Sequence, residues 1–510
     1  MSTLKIGWSE ISITPDKKIS LAGQFAERIS EYVEKPLTVT AMALESGDTQ
    51  GVIVSCDLGS VAWTLVEDVR ARLADNKEGL DPKYVMISAI HTHTGPSYAG
   101  QRRSAKYTTQ KQTGGIGSLR EMLETYMPAG CKYVEKQNIS NNPEIMAGKE
   151  CAAFLAERIA KAVLDAWKDR REGSFVNAFG RAAIGQCRRV TYSDGSAQMW
   201  GDTNTAVFES VEGGNDNGIE LLFVYGAEKE LRGIVANIAC PAQCVQHRLF
   251  VSPDYWGEVK VRLRKYFGED LFLLPLLSAA GDQCPVDMVR WVAPESDVHD
   301  PNIEHPHPLR RKADPSMFDI SGMKVAGRRV AQEIIAVYED GLDAPQTDPV
   351  FVHEVHDMQL PLRRATLTDY NNAVRAVKEY FRDKKGDVDY NDVAKLQVHL
   401  GILVRFRLQE VMNVVETEVH IMRLGTVAFA TNPFELFLDY GNKIRVRSKA
   451  EQTFLIQLCN GGDGYLPTEK AEKGGHYSAF ISSGLVGHAG GDQLVRESLQ
   501  RINELFADFQ

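Results

Sequence analysis

The feature that most constrains this chain is a series of short apolar runs, each ending abruptly in polar residues or glycine. They lie at 51–57, 84–91, 233–240, 271–281, 427–432 and 453–460. Their length and lack of alternation suit strands buried on both faces. Between them, apolar residues recur at helical spacing. Leu65, Val69 and Leu73 form one stripe, Phe154, Leu155, Ile159, Val163 and Trp167 a second, and Leu494, Val495, Leu499, Ile502 and Phe506 a third. Buried strands alternating with amphipathic helices predict an α/β body, a mixed β-sheet core flanked by helices. In such bodies chemistry gathers where strands end.

The chain has 510 residues, beyond the roughly 250–300 at which single cores stop growing, and three stretches interrupt the rhythm. Residues 98–148 are weakly patterned, with Gln101-Arg102-Arg103 and Gly114-Gly115 among them. Residues 286–318 hold Asp-Pro and His-Pro pairs and the histidines His299, His305 and His307. The pattern Ala373, Val377, Tyr380, Phe381 makes 366–412 a helical excursion. With no internal repeat or low-complexity linker, one domain over 1–510 carrying these insertions is expected. Long loops in a compact body are often lids or binding loops.

Lys and Arg number 58 against 68 Asp and Glu, a net charge of −10. That balance argues against nucleic acid or an anionic membrane as the main partner and leaves a small molecule. No stretch approaches the ~20 apolar residues of a membrane span. The first residues carry no basic-then-apolar leader, so a cytoplasmic location is expected, with the eight cysteines reduced rather than paired.

The sharpest local feature is His91-Thr92-His93-Thr94-Gly95-Pro96, at the end of an expected strand. In an extended segment two histidines two residues apart share a face. There both can ligate a metal, or one can ligate while the other moves protons; two structural histidines before a turn are the plainer alternative.

This element, following an apolar strand, resembles the His-Thr-His-Ser-Gly-Pro element of the neutral/alkaline (non-lysosomal) ceramidase family, which are zinc amidases. Further similarities follow in chain order. The opening through Gly23-Gln24 resembles that family's first element, and Ser55-Cys56-Asp57-Leu58-Gly59 its strand-end Ser-x-Asp-x-Gly. Gln186-Cys187-Arg188-Arg189 stands where the family has an Asn-Arg element. Asn432-Pro433-Phe434-Glu435 resembles a Pro-Gly-Glu element, and Leu458-Cys459-Asn460 through Tyr465 a Leu-x-Asn…Tyr element. The resemblance covers most of the chain, without the family's C-terminal immunoglobulin-like domain. It implies a ceramidase-type catalytic fold holding Zn2+, with His91, Glu435 and the phenolate of Tyr465 as ligands and His93 as the proton-transfer or carbonyl-polarising group. It also implies Arg188, in competition with Arg189, as the cation facing a carbonyl, and Asp57 as an acceptor that orients a histidine.

Two positions depart from the family pattern. Its second histidine ligand falls at Cys240, with Asp254 at the expected interval beyond; a thiolate binds zinc well, or His247 swings in instead. Its reacting-centre serine falls at Cys284, in Gly281-Asp282-Gln283-Cys284-Pro285. Cysteine is the better nucleophile once ionised. The leading expectation is a zinc-dependent hydrolase of an amide or ester-like bond. A metal-free cysteine hydrolase, a carbohydrate-active enzyme on the same fold and a non-catalytic binding relative are the alternatives. The polar segment at 101–106 suits a small polar substrate better than a sphingolipid, and His476, beside Tyr477, is placed at the pocket rim.

Overall fold

The computed structural model describes residues 3–24, 27–103, 119–134, 142–290 and 318–508. Gly114-Gly115 and the histidines at 299, 305 and 307 lie outside them. The main sheet holds eight strands: β1 (Lys5–Ser12), β2 (Thr38–Ser46), β3 (Thr49–Cys56), β4 (Val85–Ala89), β5 (Arg171–Arg181), β6 (Gly218–Gly226), β7 (Leu231–Ile238) and β8 (Phe272–Leu277). Their order is β8-β7-β6-β5-β1-β2-β3-β4. The outermost pairs, β3 with β4 and β7 with β8, are parallel; the pairs between are antiparallel. A second sheet runs β9 (Phe351–Pro361), β10 (Val414–Leu424), β11 (Val427–Thr431), β12 (Gln452–Ile456), and only β11 with β12 is parallel in it.

The two sheets pack face to face. Trp8, Met42, Ile53, Leu222 and Leu274 from the first interlock with Phe351, Met422, Phe429 and Phe454 from the second. This doubled core explains why the apolar runs were legible and the remaining strands were not. β4, β8, β11 and β12 are buried almost throughout and read as continuous runs. β5 and β9 turn one side toward water or polar neighbours, and β9 reads Phe-Val-His-Glu-Val-His-Asp-Met-Gln-Leu-Pro.

Among the described residues the α-helices are α1 (Trp63–Leu73), α2 (Leu119–Tyr126), α3 (Gly148–Lys168), α4 (Tyr255–Phe267), α5 (Asp319–Glu339), α6 (Leu367–Asp383), α7 (Tyr390–Leu408), α8 (Leu438–Arg447), α9 (Glu469–Gly474) and α10 (His488–Leu505). The stripes expected from sequence bury as drawn: Leu65 and Val69 of α1 meet Ile159, Val163 and Trp167 of α3 over the outer face of β2, β3 and β4. α4 and α5 cover β6 and β7, and α8 and α10 cover the second sheet. The excursion at 366–412 forms α6 and α7, which share a small separate core with α2 through Met122, Leu123, Val377, Phe381 and Leu400. α6 and α7 each open on a capping box, Thr366 with Asp369 and Asp389 with Asp392.

The first sheet curls until β8 packs against β2, β3 and β4. The C-terminal ends of β4, β7, β8, β11 and β12 therefore point into one region, and the chain leaving each end supplies the residues considered next.

Candidate active site

His91 and His93 do meet, by a different route from the one their spacing suggests. β4 ends at Ala89, and His91 lies beyond it in the left-handed region with φ 65°. Period two does not apply there, yet the turn brings the rings to 4.8 Å between centroids, edge to face. Gly23 backs the pair: its φ is +90°, and a Cβ there would sit 2.2 Å from the His93 ring.

The hydrogen bonds fix where the protons are. His91 Nδ1 lies 2.5 Å from the Gly59 carbonyl and must donate to it, so the Nδ1–H tautomer of His91 presents a lone pair at Nε2. Gln243 Oε1 accepts from Arg188 Nη1 at 3.2 Å, which turns its amide nitrogen toward His93 Nε2, 2.9 Å away. His93 Nε2 is thus an acceptor, and its proton sits on Nδ1. His91 Nε2 faces His93 Nε2 at 3.3 Å and Glu435 Oε2 at 3.5 Å. The His93 lone pair takes the Gln243 N–H, and among the described residues no donor stands between His91 Nε2 and Glu435 Oε2. Burial drives the His93 pKa far below that of free imidazole, reinforced by His91, Arg28 and Arg188, so the ring is neutral.

Glu435 and Tyr465 arrive as partners in a two-residue parallel bridge. The Tyr465 hydroxyl accepts from Arg188 Nη2 at 3.3 Å, and the same nitrogen donates to the Gly281 carbonyl at 3.0 Å. Burial, with Glu435 and Tyr477 adding to it, pushes the Tyr465 phenol well above its usual range. Burial works against the Arg188 charge, but Tyr465, Cys284 and Glu435 offset it. Its neighbour Arg189 has a different task. It pairs with Glu212 at 2.6 Å and donates to the Gly475 and Tyr477 carbonyls, clamping the end of α9. A pocket of about 240 Å³ opens over Glu435 and Tyr465, walled by Arg102, Tyr477, Phe480 and Ser483 and roofed by Gln397 and Gly401 of α7.

Several expected site residues lie elsewhere. Cys240 is no ligand as placed: its thiol is fully buried and points at the Ile184 and Pro241 carbonyls, and burial raises its pKa well above normal. His247 does not substitute for it; the ring stacks on Phe318 and pairs with Asp319. Asp57 accepts from the Thr38 amide and hydroxyl, and the Gly59 carbonyl orients His91 in its stead. Cys284 lies near Arg188, but its thiol is bonded to the Val286 carbonyl and burial holds it up at about 12, the thiol form. Asp254 caps α4 and Asp282 accepts from the first amide of α8; burial raises each to about 6. His476 accepts from the Met199 amide, leaving Tyr477 to line the pocket. Gln243, which joins Arg188 to His93, carries the site without having been singled out in the sequence, and Gly59, quoted there within a motif, acts through its carbonyl. Gln243 stands in the same strand-end segment as Cys240, three residues on, which was the available signal.

No family model and no curated protein matches the sequence. Solved structures do. One titled "Ceramidase complexed with C2" aligns with TM-score 0.64 at 12% identity, over 100% of this chain and 76% of that one. The neutral ceramidase from Pseudomonas aeruginosa aligns with TM-score 0.63 at 14% identity, over 100% and 75%. The chain has the ceramidase fold. At these identities the likeness concerns fold alone, and the chemistry rests on the side chains above.

Among the described residues no three of His, Cys, Asp and Glu are grouped to hold a metal. A mixed set remains. His91 Nε2 carries an outward lone pair fixed by Nδ1–H to a backbone carbonyl, the usual arrangement of a metal-binding imidazole. It faces a carboxylate, Glu435, whose strand partner is the phenol of Tyr465. Three ligands with an open position are what catalytic zinc asks for, and these donors fit it without Cys240.

Proposed function

We propose that this chain is a hydrolase of an amide or ester-like bond in a small polar substrate, with its centre at the floor of the pocket over Glu435 and Tyr465. The observation that carries the reading is the convergence of His91 Nε2, His93 Nε2 and Glu435 Oε2 beside the Arg188 guanidinium. Zinc held by His91, Glu435 and Tyr465 would polarise a carbonyl and acidify a water molecule.

The chain's own residues supply the rest. Among the described residues no carboxylate pairs directly with Arg188; its donors go to Gln243, Gly281 and Tyr465. It therefore retains positive charge for the oxygen that becomes negative as water adds to a carbonyl carbon. Neutral His93 takes the proton that the attacking water loses and returns it to the leaving nitrogen or oxygen as the carbonyl bond to that atom breaks. In the resting site Gln243 donates to His93 Nε2 and holds the ring in the Nδ1–H tautomer, and this hydrogen bond opens as the ring takes the proton. The buried thiols of Cys240 and Cys284 weigh against a cysteine nucleophile.

Metal content by mass spectrometry, with turnover of short N-acyl compounds before chelation, after it and on re-adding zinc, tests this reading. About one zinc per chain and activity that follows it are expected. Full activity in metal-free protein would sink the zinc assignment, and cleavage of ceramide in preference to polar N-acyl compounds would sink the substrate assignment.

A further inference from the structure

Two arginines at this pocket, Arg102 and Arg405, make no salt bridge among the described residues. Arg102 lies on the wall, exposed, with its guanidinium against the backbone at Gly464. Among the described residues it has no ion pair within 4.0 Å, and Asp463 is the acid whose charge it feels. Arg405, buried behind the same wall, gives its donors to the carbonyls of Gly484, Leu485 and Arg363, and among the described residues it has no salt bridge. Burial, then Arg363 and Arg102, bring it down to about 9. Two guanidinium groups thus repel each other across a pocket wall in a chain whose net charge is −10. Arg102, exposed on the wall and without a salt bridge, leaves its guanidinium open to an anionic group entering the cavity.

We propose that the substrate carries a carboxylate and that Arg102 binds it, making Arg102 the residue that sets specificity. The inference rests on the hydrolase reading for its location. A planar guanidinium matches a carboxylate through two parallel hydrogen bonds, and Ser482 and Ser483 on the same wall provide neutral hydroxyls beside it. The scissile carbonyl then lies inward, toward Arg188 and Glu435, with the carboxylate outward. The substrate class is an N-acyl amino acid or a comparable short amide with a terminal acid.

Calorimetric titration separates this claim from turnover. N-acetylglycine and its neutral counterpart N-acetylglycinamide are titrated into the full-length protein and into Arg102→Ala. The wild type is expected to bind the acid about tenfold more tightly than the amide. Arg102→Ala is expected to bring the two within about twofold, with its melting temperature unchanged because the side chain is exposed. Equal binding of both compounds by the wild type overturns the proposal, as does a preference that survives Arg102→Ala. A preference for the acid without any hydrolysis supports the anion site while removing the hydrolase reading; hydrolysis without the preference does the reverse.

Discussion

Two buried histidine pairs occupy this molecule, and their surroundings differ in one respect. His353 Nδ1 donates to the Gln50 carbonyl at 2.9 Å, and its Nε2 accepts from His420 Nδ1 at 2.9 Å. Beyond them His420 Nε2 meets the amide nitrogen of Asn460 at 3.0 Å and Glu418 at 3.1 Å, and Arg70 grips Glu418 with two bonds. Every lone pair there meets a donor, and the chain of contacts ties β9 and β10 of the second sheet to β3 and α1 of the first. At His91 and His93 the His93 lone pair meets the Gln243 amide. His91 Nε2 and Glu435 Oε2, however, face each other with no donor between them among the described residues, beside the pocket that Glu435 lines. A satisfied network of this kind holds a fold together, and an unsatisfied one is reserved for a ligand.

Substitutions separate the two pairs. Glu435→Gln removes a charge from the open cluster and is expected to lower kcat/KM by about 10³-fold with little change in urea midpoint, read by steady-state kinetics and denaturation on one preparation. Glu418→Gln weakens a half-buried pair with Arg70 and is expected to cost about 1–2 kcal/mol of stability while leaving turnover of the folded enzyme unchanged.

Both pairs contribute to the acid limb of stability, since His93 and His353 are each held below an ordinary imidazole. Burial, then His420, holds His353 down to about 3 against an ordinary 6.5. Between those values the unfolded chain binds a proton that the native state does not, so stability falls as pH drops from 6.5 toward 3. Urea midpoints measured across that window are expected to fall less steeply in His353→Gln than in the wild type. The smallest effect is expected at Cys284. Its thiol is held protonated, so Cys284→Ser changes kcat/KM by less than about threefold, and a thiol reagent at pH 8 leaves this cysteine unlabelled.

How much of this was legible in the sequence follows the same division. Strands buried on both faces announce themselves as apolar runs, so β4, β7, β8, β11 and β12 and their strand-end residues could be placed in advance. β9 and β10, which carry His353 and His420, alternate polar and apolar residues and pair over a long antiparallel ladder that no local run betrays. At the site itself, the His-x-His spacing singled out His91 and His93, while Arg188, Glu435 and Tyr465 came only from the resemblance of ordered motifs to the ceramidase family. Directions were not legible. Which way Cys240 faces is set by the Ile184 carbonyl, more than fifty residues away in sequence, and the orientation of His91 is set by a backbone oxygen that has no residue signature. Gln243 escaped notice because an amide is chemically ordinary until both of its ends are seen engaged.

The most direct test compares amine release from a short N-acyl compound by the wild type and by Arg188→Lys. Lysine keeps the charge but loses the fork that reaches Gln243, Gly281 and Tyr465 together. The expected result is turnover by the wild type and a loss of about 10²-fold in kcat for Arg188→Lys, with KM and melting temperature little changed. No amine release by the wild type, or equal rates for the two proteins, would contradict the assignment of this pocket floor as a hydrolytic centre.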